Sequence, residues 1–316
     1  MIEIIVANPA LFEQRLEEYC QLYELCFNQK MTTQEARWRY LEHPKKDLFA
    51  CFALDDGKLV ASYSASPVEL RINGEVKKAI LSLNTMTHPD YTGRGLFVDL
   101  AKRVYKHAEE LGYVLVFGFP NYISNRTFVS KLNWKDIYEI PTMELTINER
   151  LIKRLESTYD AVEEDSAFAL NYDSCNYGAQ QKVAVEKNQN FLQWRYADNP
   201  VNNYKNFVVK HGKQVRSYVV VKEYKERLNI IDYYFADNQD MELLISWCVI
   251  YGSQLGKTMV TTWAKMGEKL HLLLEKMGFR NNYPITYIGA SILGNAELDI
   301  FNYQTWVVRM GDDNVY

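Results

Sequence analysis

Two glycines in the segment Gly93-Arg94-Gly95 stand directly before a predicted helix, and this arrangement could bind an anion. Glycine lets the backbone turn tightly and approach a ligand closely. The first N–H groups of a helix have no partner inside the helix, and the helix dipole adds partial positive charge there. Arg94 could add a charge-assisted contact. The segment therefore predicts a cradle for a phosphate group, although the same glycines could serve only the geometry of a turn.

The cradle matches neither of two common phosphate-binding motifs. The dinucleotide fingerprint GxGxxG would need a glycine or alanine at Val98. A near miss to the Walker A loop at residues 252–258 is one residue too short, and it follows a predicted helix instead of a strand. A Rossmann or P-loop site is therefore excluded at both places.

The elements around the cradle predict an α/β module. A strand over residues 80–87 leads through a turn at Pro89 to the two glycines and then to a helix with an apolar stripe. The stripe consists of Leu96, Leu100, Val104, Ala108 and Leu111. A strand over 114–119 and a short helix ending in Lys131-Leu132-Asn133-Trp134 follow. The strands and the long helix would place the cradle at the edge of a sheet.

Three landmarks of the first half return in the same order in the second half. WRYxxxP stands at residues 38–44 and again at 194–200, a Leu-Gly step at 111–112 and 255–256, and a similar helix end at 131–134 and 276–279. Such self-similarity indicates a duplication. We expect two modules, 1–150 and 151–316, in the α/β class (α+β, mixed sheet), each a twisted mixed sheet flanked by helices.

Composition excludes several classes of protein. The 316 residues carry a formal net charge of −4 without a basic stripe, which argues against binding to a nucleic-acid backbone. The longest apolar stretch, residues 243–251, is about half of a membrane span, and the start lacks the pattern of a signal peptide. The five cysteines, of which Cys175 is one, form no CxxC pair, so neither a disulfide framework nor a metal site is expected. We expect a cytoplasmic protein without a membrane span.

In this context the segment Tyr91-Thr92-Gly93-Arg94-Gly95-Leu96 resembles the acceptor loop of the GNAT superfamily of acyl-CoA-dependent N-acyltransferases. The resemblance covers about residues 4–146 and, more weakly, 160–310. Two such modules in one chain are similar to the tandem sugar N-acyltransferases of bacterial surface-glycan synthesis. The resemblance implies that backbone amides of the loop bind the pyrophosphate of CoA.

The resemblance also implies which residues touch acyl-CoA, and this chain departs from the family pattern at three of its positions. The implied contacts are Met86, Thr87, Thr92, Gly93, Arg94, Gly95, Leu96, Phe97, Asn121 and Asn125. Thr92 stands where the family has Arg or Gln, and Phe97 stands where it has Gly or Ala. Val129 occupies the place of the tyrosine that protonates the leaving thiolate, for which Tyr122 is a possible substitute. Asn121 and Asn125 could instead cap a helix.

The family mechanism implies that the strand before the loop polarises the thioester carbonyl with backbone N–H groups. For the general base this strand offers Ser82, Asn84 and His88, of which only histidine titrates near neutral pH. His88 could also be a plain turn residue, and a carboxylate acting through water is an equal alternative.

The second module lacks the cradle. Residues 235–242, at the equivalent place, hold no glycine and three carboxylates, which would repel a pyrophosphate. We therefore expect one CoA site per chain, in the first module. Aromatic and acidic residues at strand ends of the second module could bind a sugar or a pyrimidine base, or could simply pack in the core. They are Asp232, Tyr233, Tyr234 and Trp263.

These features favour an N-acyltransferase that moves an acetyl or short 3-hydroxyacyl group from acyl-CoA to the amine of a TDP- or UDP-linked amino sugar. Three alternatives stay open. The acceptor could be an aminoglycoside, a peptide or a polyamine. The chain could be a non-catalytic acyl-CoA-binding module. It could also be a Fem-type peptidoglycan aminoacyltransferase, although those use aminoacyl-tRNA and the net charge argues against a nucleic-acid substrate.

Overall fold

In the computed structural model, which describes residues 1–165, 168 and 183–313, strands and helices alternate along the chain. Cys175 lies outside the described residues. The strands are β1 (Glu3–Val6), β2 (Phe49–Asp55), β3 (Lys58–Ile72), β4 (Glu75–Thr87), β5 (Leu115–Gly118), β6 (Lys135–Thr146), β7 (Glu163–Glu164), β8 (Val183–Val185), β9 (Tyr204–His211), β10 (Gln214–Tyr224), β11 (Arg227–Tyr234), β12 (Met259–Trp263) and β13 (Arg280–Ile292). The helices are α1 (Pro9–Gln14), α2 (Leu16–Phe27), α3 (Thr33–Tyr40), α4 (Leu96–Glu110), α5 (Tyr122–Lys131), α6 (Glu149–Glu156), α7 (Gln189–Leu192), α8 (Asn238–Gln254) and α9 (Lys269–Met277).

The chain divides into two units, and each takes one strand from the other half of the sequence. The first unit is Met1–Tyr138 with Tyr287–Thr305, and the second is Glu139–Thr286 with Trp306–Tyr316. The later part of β6 pairs with β12, while the end of β13 pairs with β5. The predicted boundary at residue 150 places the later part of β6 in the first module and the end of β13 in the second. The structure places each in the other unit, because their partner strands lie far away in the sequence.

The first unit is a mixed sheet in the order β1, β2, β3, β4, β5 and the end of β13. All neighbours are antiparallel except β4 and β5, which are parallel. A parallel pair needs a crossover connection, and α4 supplies it. The crossover places the N-terminus of α4 directly after β4, at the end of the strand where the two glycines lie.

Helices cover both faces of this sheet. On one face α4 buries Leu96, Leu100, Val104 and Ala108, which confirms most of the predicted stripe. Leu111 differs, because it caps the C-terminal end of α4 and stays exposed. On the other face α1, α2 and α3 bury apolar side chains that include Phe12, Tyr19 and Tyr40. Two cores therefore hold β4 between them.

The second unit repeats this arrangement. Strands β9, β10 and β11 are antiparallel neighbours, β11 and β12 are parallel, and α8 is the crossover between them. Helix α9 follows β12 as α5 follows β5. The predicted fold class, two modules each with a mixed sheet flanked by helices, is confirmed. None of the described helices has the length and apolar character to span a membrane.

Candidate acyl-CoA site

The loop between β4 and α4 leaves a row of backbone N–H groups without acceptors. A single 3-10 turn, Pro89–Tyr91, ends at Thr92, whose hydroxyl donates to the carbonyl oxygen of Pro89 at 2.9 Å. From Gly93 to Phe97 no backbone N–H has an acceptor among the described residues. Because α4 begins at Leu96, the helix dipole reinforces these donors. The loop therefore has the chemistry of an anion cradle.

Both glycines of the loop adopt a backbone conformation that other residues rarely tolerate. Gly93 has φ of 76°, and Gly95, the N-cap of α4, has φ of 80° and ψ of 0°. A Cβ atom at either position would meet nothing within 4 Å. The glycines are thus required by backbone geometry, and they leave open space in front of the N–H groups.

Arg94 lies on the surface of the same loop. Its guanidinium stacks over the ring of Tyr91 at 4.7 Å, and Nη2 donates to the carbonyl oxygen of Asp90 at 3.2 Å. The Tyr91 hydroxyl donates to Oδ2 of Asp55 at 2.9 Å, and this hydrogen bond lowers the pKa of that carboxyl group. Tyr91 therefore anchors the loop to β2, and Arg94 lies on the loop surface where it could contact an anionic ligand.

Strand β4 separates from β5 just before the loop. The parallel pairing ends with Leu81 opposite Phe117, and among the described residues no strand pairs with this edge of β4 after Leu81. On the β3 side the register shifts between the Tyr63–Thr85 and Ala65–Ser82 pairs, which places a bulge at residues 83–84. A bulge bends the strand and re-aims its side chains. Strand β4 is thus splayed away from β5 after Leu81, with a gap beside it.

Asn84, one of the three candidate bases on β4 and the turn after it, is held inside the bulge. Its amide nitrogen donates to the Tyr40 hydroxyl at 2.9 Å and to the Tyr19 hydroxyl at 3.4 Å. Of the predicted CoA contacts on the same strand, Met86 is buried among α1–α3, and the carbonyl of Thr87 accepts a hydrogen bond from the Cys26 thiol at 3.4 Å. The side chains of Asn84 and Met86 therefore face the α1–α3 core.

His88 caps the turn that follows β4. Its Nδ1 accepts a hydrogen bond from the N–H of Asp90 at 3.3 Å, and the Asp90 carboxylate lies 3.7 Å from the same nitrogen. In this arrangement the neutral ring carries its proton on Nε2, so the lone pair that could take a proton is already in use. The geometry matches the turn residue named as the alternative in the sequence analysis.

The first turn of α4 packs onto an aromatic cluster. Leu96 is buried in the core, and the ring of Phe97 stacks on Tyr63 at a centroid distance of 6.3 Å. Phe97 also meets the edge of Phe128 at 5.1 Å. The large residue found where the family has Gly or Ala is therefore built into the packing under the helix.

At the start of α5 the three predicted residues have different surroundings. Asn121 is the N-cap, with Oδ1 accepting from the N–H of Ser124 at 2.9 Å. Asn125 donates from Nδ2 to Oδ1 of Asp136 at 3.0 Å. Tyr122 is 80% exposed. The capping role considered for Asn121 is present, and the Tyr122 hydroxyl projects into solvent.

A chain of buried hydroxyls that the sequence analysis missed ends at the gap. The Trp134 indole N–H donates to the Tyr105 hydroxyl at 3.0 Å, Tyr105 and Tyr63 hydroxyls are 3.1 Å apart, and Tyr63 donates to Oγ of Ser82 at 2.7 Å. From the sequence only Ser82 could be picked out, because it lies on the candidate strand. The other three residues lie on separate parts of the fold, so the sequence does not show that they meet.

In the second unit, a side chain of the protein accepts hydrogen bonds from the N–H groups at the start of the equivalent helix, α8. Oδ1 of Asp237 caps α8 by accepting from the N–H groups of Gln239 and Asp240, each at 2.9 Å. Asp237 also forms an ion pair with Arg216. A carboxylate of the chain therefore accepts from the N-terminal N–H groups of α8, whereas the equivalent groups of α4 have no such acceptor among the described residues.

Most of the predicted acceptor-binding residues are in the core of the second unit. Asp232 is fully buried and accepts from Nζ of Lys187 at 2.9 Å and from the Tyr196 hydroxyl at 2.8 Å. The Tyr233 hydroxyl donates to the carbonyl oxygen of Trp263 at 3.2 Å, and both rings are buried. The packing alternative named in the sequence analysis describes these three residues, whereas Tyr234 is partly exposed.

Besides Lys187 and Tyr196, two more partners of this cluster come from outside the predicted set, Asp312 and Arg309. Nζ of Lys187 lies 2.8 Å from Oδ1 of Asp312, and Arg309 covers the Tyr233 ring at 3.9 Å. Their positions in the sequence give no sign of this, since they lie far from β11. Among the described residues no group of three or more His, Cys, Asp or Glu side chains is placed to hold a metal ion.

Residues 10–137 match the acetyltransferase (GNAT) domain family. The match lies within the first unit and covers less than half of the chain. The match spans the splayed strand, the glycine loop and helix α4, and it supports an acyl-CoA-dependent N-acyltransferase. No curated protein sequence matches the chain.

Solved structures share the fold over most of the chain. A probable N-acyltransferase from Enterococcus faecalis is 14% identical, with a TM-score of 0.67, and the alignment covers 93% of this chain and 73% of that one. A GCN5-related N-acetyltransferase from Anabaena variabilis is 10% identical, with the same TM-score and coverage. The N-myristoyltransferase of Saccharomyces cerevisiae with bound myristoyl-CoA is 11% identical, with a TM-score of 0.61 and coverage of 92% and 82%. The region similar to the GNAT family thus lies within a larger fold that these proteins share.

Proposed function

We propose that the first unit binds acyl-CoA at the Gly93–Gly95 loop and transfers the acyl group to the amine of a nucleotide-linked amino sugar. The observation that carries the proposal is the row of N–H groups from Gly93 to Phe97 that lack acceptors, beside the gap at the end of β4. The second unit offers no such row at α8, because Asp237 already satisfies it.

The residues present suit the pyrophosphate of CoA. Two glycines with positive φ keep side chains away from the N–H groups, and the α4 dipole favours negative charge. Arg94 is the side-chain cation on the loop and could form a charge-assisted contact with a phosphate oxygen. Thr92 and Phe97, which depart from the family pattern, leave the backbone donors in place.

For the reaction, the gap beside β4 would hold the thioester. Backbone N–H groups along the open edge after Leu81 could donate to the carbonyl oxygen as negative charge develops on it, and one such donor is worth on the order of 3 kcal/mol of the barrier. The amine attacks the carbonyl carbon, the carbon–sulfur bond breaks, and the electron pair stays on sulfur. The amine loses one proton and the thiolate gains one.

The nucleotide-linked amino sugar rests on the resemblance to tandem sugar N-acyltransferases. The cytoplasmic location, the short acyl group and the role in surface glycans belong to the same proposal. Since Asp232, Tyr233 and Trp263 are engaged in the core, an acceptor of another class is the second candidate. Aminoglycosides, peptides and polyamines are such acceptors.

The test is release of free thiol from acyl-CoA with a panel of amines. The donors are acetyl-CoA, 3-hydroxybutyryl-CoA and myristoyl-CoA. The acceptors are TDP- and UDP-linked amino sugars, an aminoglycoside, spermidine and a lysine peptide. Gly95→Asp places a carboxylate at the cradle, and Gly74→Asp is the matched control, because Gly74 has φ of 86° and open space in the β3–β4 hairpin.

We expect thiol release with a nucleotide amino sugar, abolished by Gly95→Asp and retained by Gly74→Asp. Release only with another amine would replace the acceptor in the proposal. CoA binding detected by thermal shift without any turnover would favour a binding module. Equal CoA binding by the wild type and Gly95→Asp would mean that the loop is not the cradle.

A further inference from the structure

The hydroxyl chain in the first unit has a direction that its chemistry dictates. The indole N–H of Trp134 can only donate, so the Tyr105 oxygen accepts from it. The Tyr105 proton then has the Tyr63 oxygen as its acceptor, and the Tyr63 proton is donated to Ser82. The opposite order would leave the buried Tyr105 proton without an acceptor, which is costly. Every proton in the chain therefore points toward Ser82.

Because of this direction, the Ser82 hydroxyl can donate its own proton to an acceptor group in the gap. Oγ of Ser82 accepts from Tyr63, and among the described residues no acceptor for its own proton is present. Burial raises the pKa of Tyr63 and of Tyr105, so both phenols stay protonated and keep donating at neutral pH. Ser82 is thus a donor with one hydrogen bond to give.

Ser82 stands where β4 and β5 part. It follows Leu81, the last residue of β4 that pairs with β5. Gly118 lies close beside Ser82, because an added Cβ on Gly118 would be 3.3 Å from the Ser82 Cβ and 3.2 Å from the Ser82 carbonyl oxygen. Ser82 itself is partly exposed. Ser82 and Gly118 therefore form the closed end of the gap, where only a residue without a side chain fits opposite Ser82.

The cradle and Ser82 are linked by one aromatic ring. Tyr63 stacks on Phe97 in the first turn of α4 and donates to Ser82 at its other end. Tyr63 is fully buried, so it connects the first turn of α4 to Ser82 through the core of the unit and does not touch a ligand itself. The chain also lacks the family's acid, because Val129 stands at its position.

We propose that the Ser82 hydroxyl, aimed by the Trp134–Tyr105–Tyr63 chain, donates a hydrogen bond to the sulfur of CoA as the thiolate leaves. This rests on the proposed acyl-CoA site, but not on the identity of the acceptor. The carbon–sulfur bond breaks and its electron pair stays on sulfur. Ser82 keeps its proton, and the thiolate gains a proton from solvent, equivalent to the one that the attacking amine sheds.

The first experiment needs no acceptor. The thiol of protein-bound CoA is titrated by the ultraviolet absorbance of its thiolate, in the wild type and in Ser82→Ala. A hydrogen bond to the thiolate lowers the pKa of the thiol, so we expect it to be about one unit lower in the wild type, a tenfold change in acidity. The same titration of each protein without CoA is subtracted, because the protein's own cysteines and its 23 tyrosines also absorb in this range when they ionise.

Three variants complete the titration. Ser82→Thr keeps the hydroxyl and should restore the lower thiol pKa. Tyr63→Phe removes the group that aims Ser82 and should raise the thiol pKa by part of the full effect. Ser66→Ala is the control, a buried hydroxyl on β3 beside Leu81 that should leave the thiol pKa unchanged. With an active amine, Ser82→Ala should lower kcat on the order of tenfold and leave KM for acyl-CoA unchanged.

The outcomes separate the two proposals. CoA that binds the wild type and Ser82→Ala with the same thiol pKa would overturn the role of Ser82 and leave the acyl-CoA site intact. CoA that fails to bind the wild type would overturn both. A Tyr63→Phe variant with the wild-type thiol pKa would overturn the aiming role of the hydroxyl chain.

Discussion

The side-chain amide nitrogen of Asn84 lies 2.9 Å from the hydroxyl oxygen of Tyr40, to which it donates a hydrogen bond. Tyr40 in turn accepts from Tyr19, whose hydroxyl is 3.0 Å from that of Ser64. Ser64 stands on β3 opposite the bulge of β4. A buried polar network therefore fixes the bulge from the α1–α3 side, and the open edge of β4 depends on it.

Replacing Asn84 by Ala should destabilise the protein. The change removes a donor to two buried tyrosine hydroxyls, and a lost hydrogen bond of this kind costs about 1–2 kcal/mol of the free energy of unfolding. Urea denaturation of both proteins measures the difference. Gln21→Ala, at an exposed position of α2, is the control and should stay within about 0.5 kcal/mol of the wild type. Equal stability of Asn84→Ala and the wild type would show that the network does not hold the bulge.

His88 is expected to cap its turn and not to act as the general base. Asn is a good capping residue, so His88→Asn should keep the hydrogen bond from the Asp90 N–H and leave the rate of thiol release and its pH profile within about twofold of the wild type. A base contributes about 10²–10⁴-fold. A loss of that size in His88→Asn, with CoA binding retained, would restore the base role.

Removing the cap of α8 should affect stability and not CoA binding. Asp237→Ala leaves the N–H groups of Gln239 and Asp240 without their acceptor, at a cost of about 1 kcal/mol in the free energy of unfolding. Asp237→Asn retains an acceptor oxygen and should lose less. Both variants should bind CoA as the wild type does in a thermal-shift titration. Weaker binding would place part of the CoA site in the second unit.

His43 should make stability depend on pH on the acidic side. Burial, followed by the charges of Lys45 and Lys46, lowers the pKa of His43 to about 3, and its Nδ1 accepts a hydrogen bond from the Lys45 N–H. In the unfolded chain the pKa is about 6.5. The contribution is therefore complete above pH 6.5 and is lost as the pH falls from 6.5 toward 3, by about 1.4 kcal/mol per pH unit.

The measurement compares how steeply the free energy of unfolding changes with pH in two proteins. The free energy of unfolding in urea is determined between pH 7 and pH 4 for the wild type and His43→Gln, with the variant expected to show the shallower slope. Because glutamine does not titrate, a lower absolute stability of the variant does not affect this comparison. Parallel slopes would mean that His43 does not remain neutral in the folded protein.

The local features of the site could be predicted from the sequence. The two glycines before α4, the apolar stripe of the helix and the acidic loop of the second unit depend on residues close together in the chain, and the structure has each of them in place. Repeated landmarks likewise predicted two modules of one fold. Periodicity and turn chemistry are short-range properties, so a single sequence carries them.

Features that depend on distant partners could not be predicted. The sequence allowed Asp232 and Trp263 to be ligand contacts at strand ends. In the structure, Lys187 and Tyr196 donate hydrogen bonds to Asp232, and the Trp263 ring is buried in the core. The sequence likewise allowed Asn84 to be a base, whereas in the structure its amide nitrogen donates a hydrogen bond to Tyr40. A side chain's partners are chosen by tertiary packing, and the residue type alone does not name them.

The sequence by itself determined where the chain turns with positive φ into a helix, and hence where an anion could bind, because glycine geometry and helix ends are local. Only the tertiary structure decided that β6 and β13 each contribute to both units, since strand pairing joins residues far apart in the chain. It alone also brought Trp134, Tyr105 and Tyr63 into one line of hydrogen bonds ending at Ser82. That line exists because four separate elements pack against one another around a shared core.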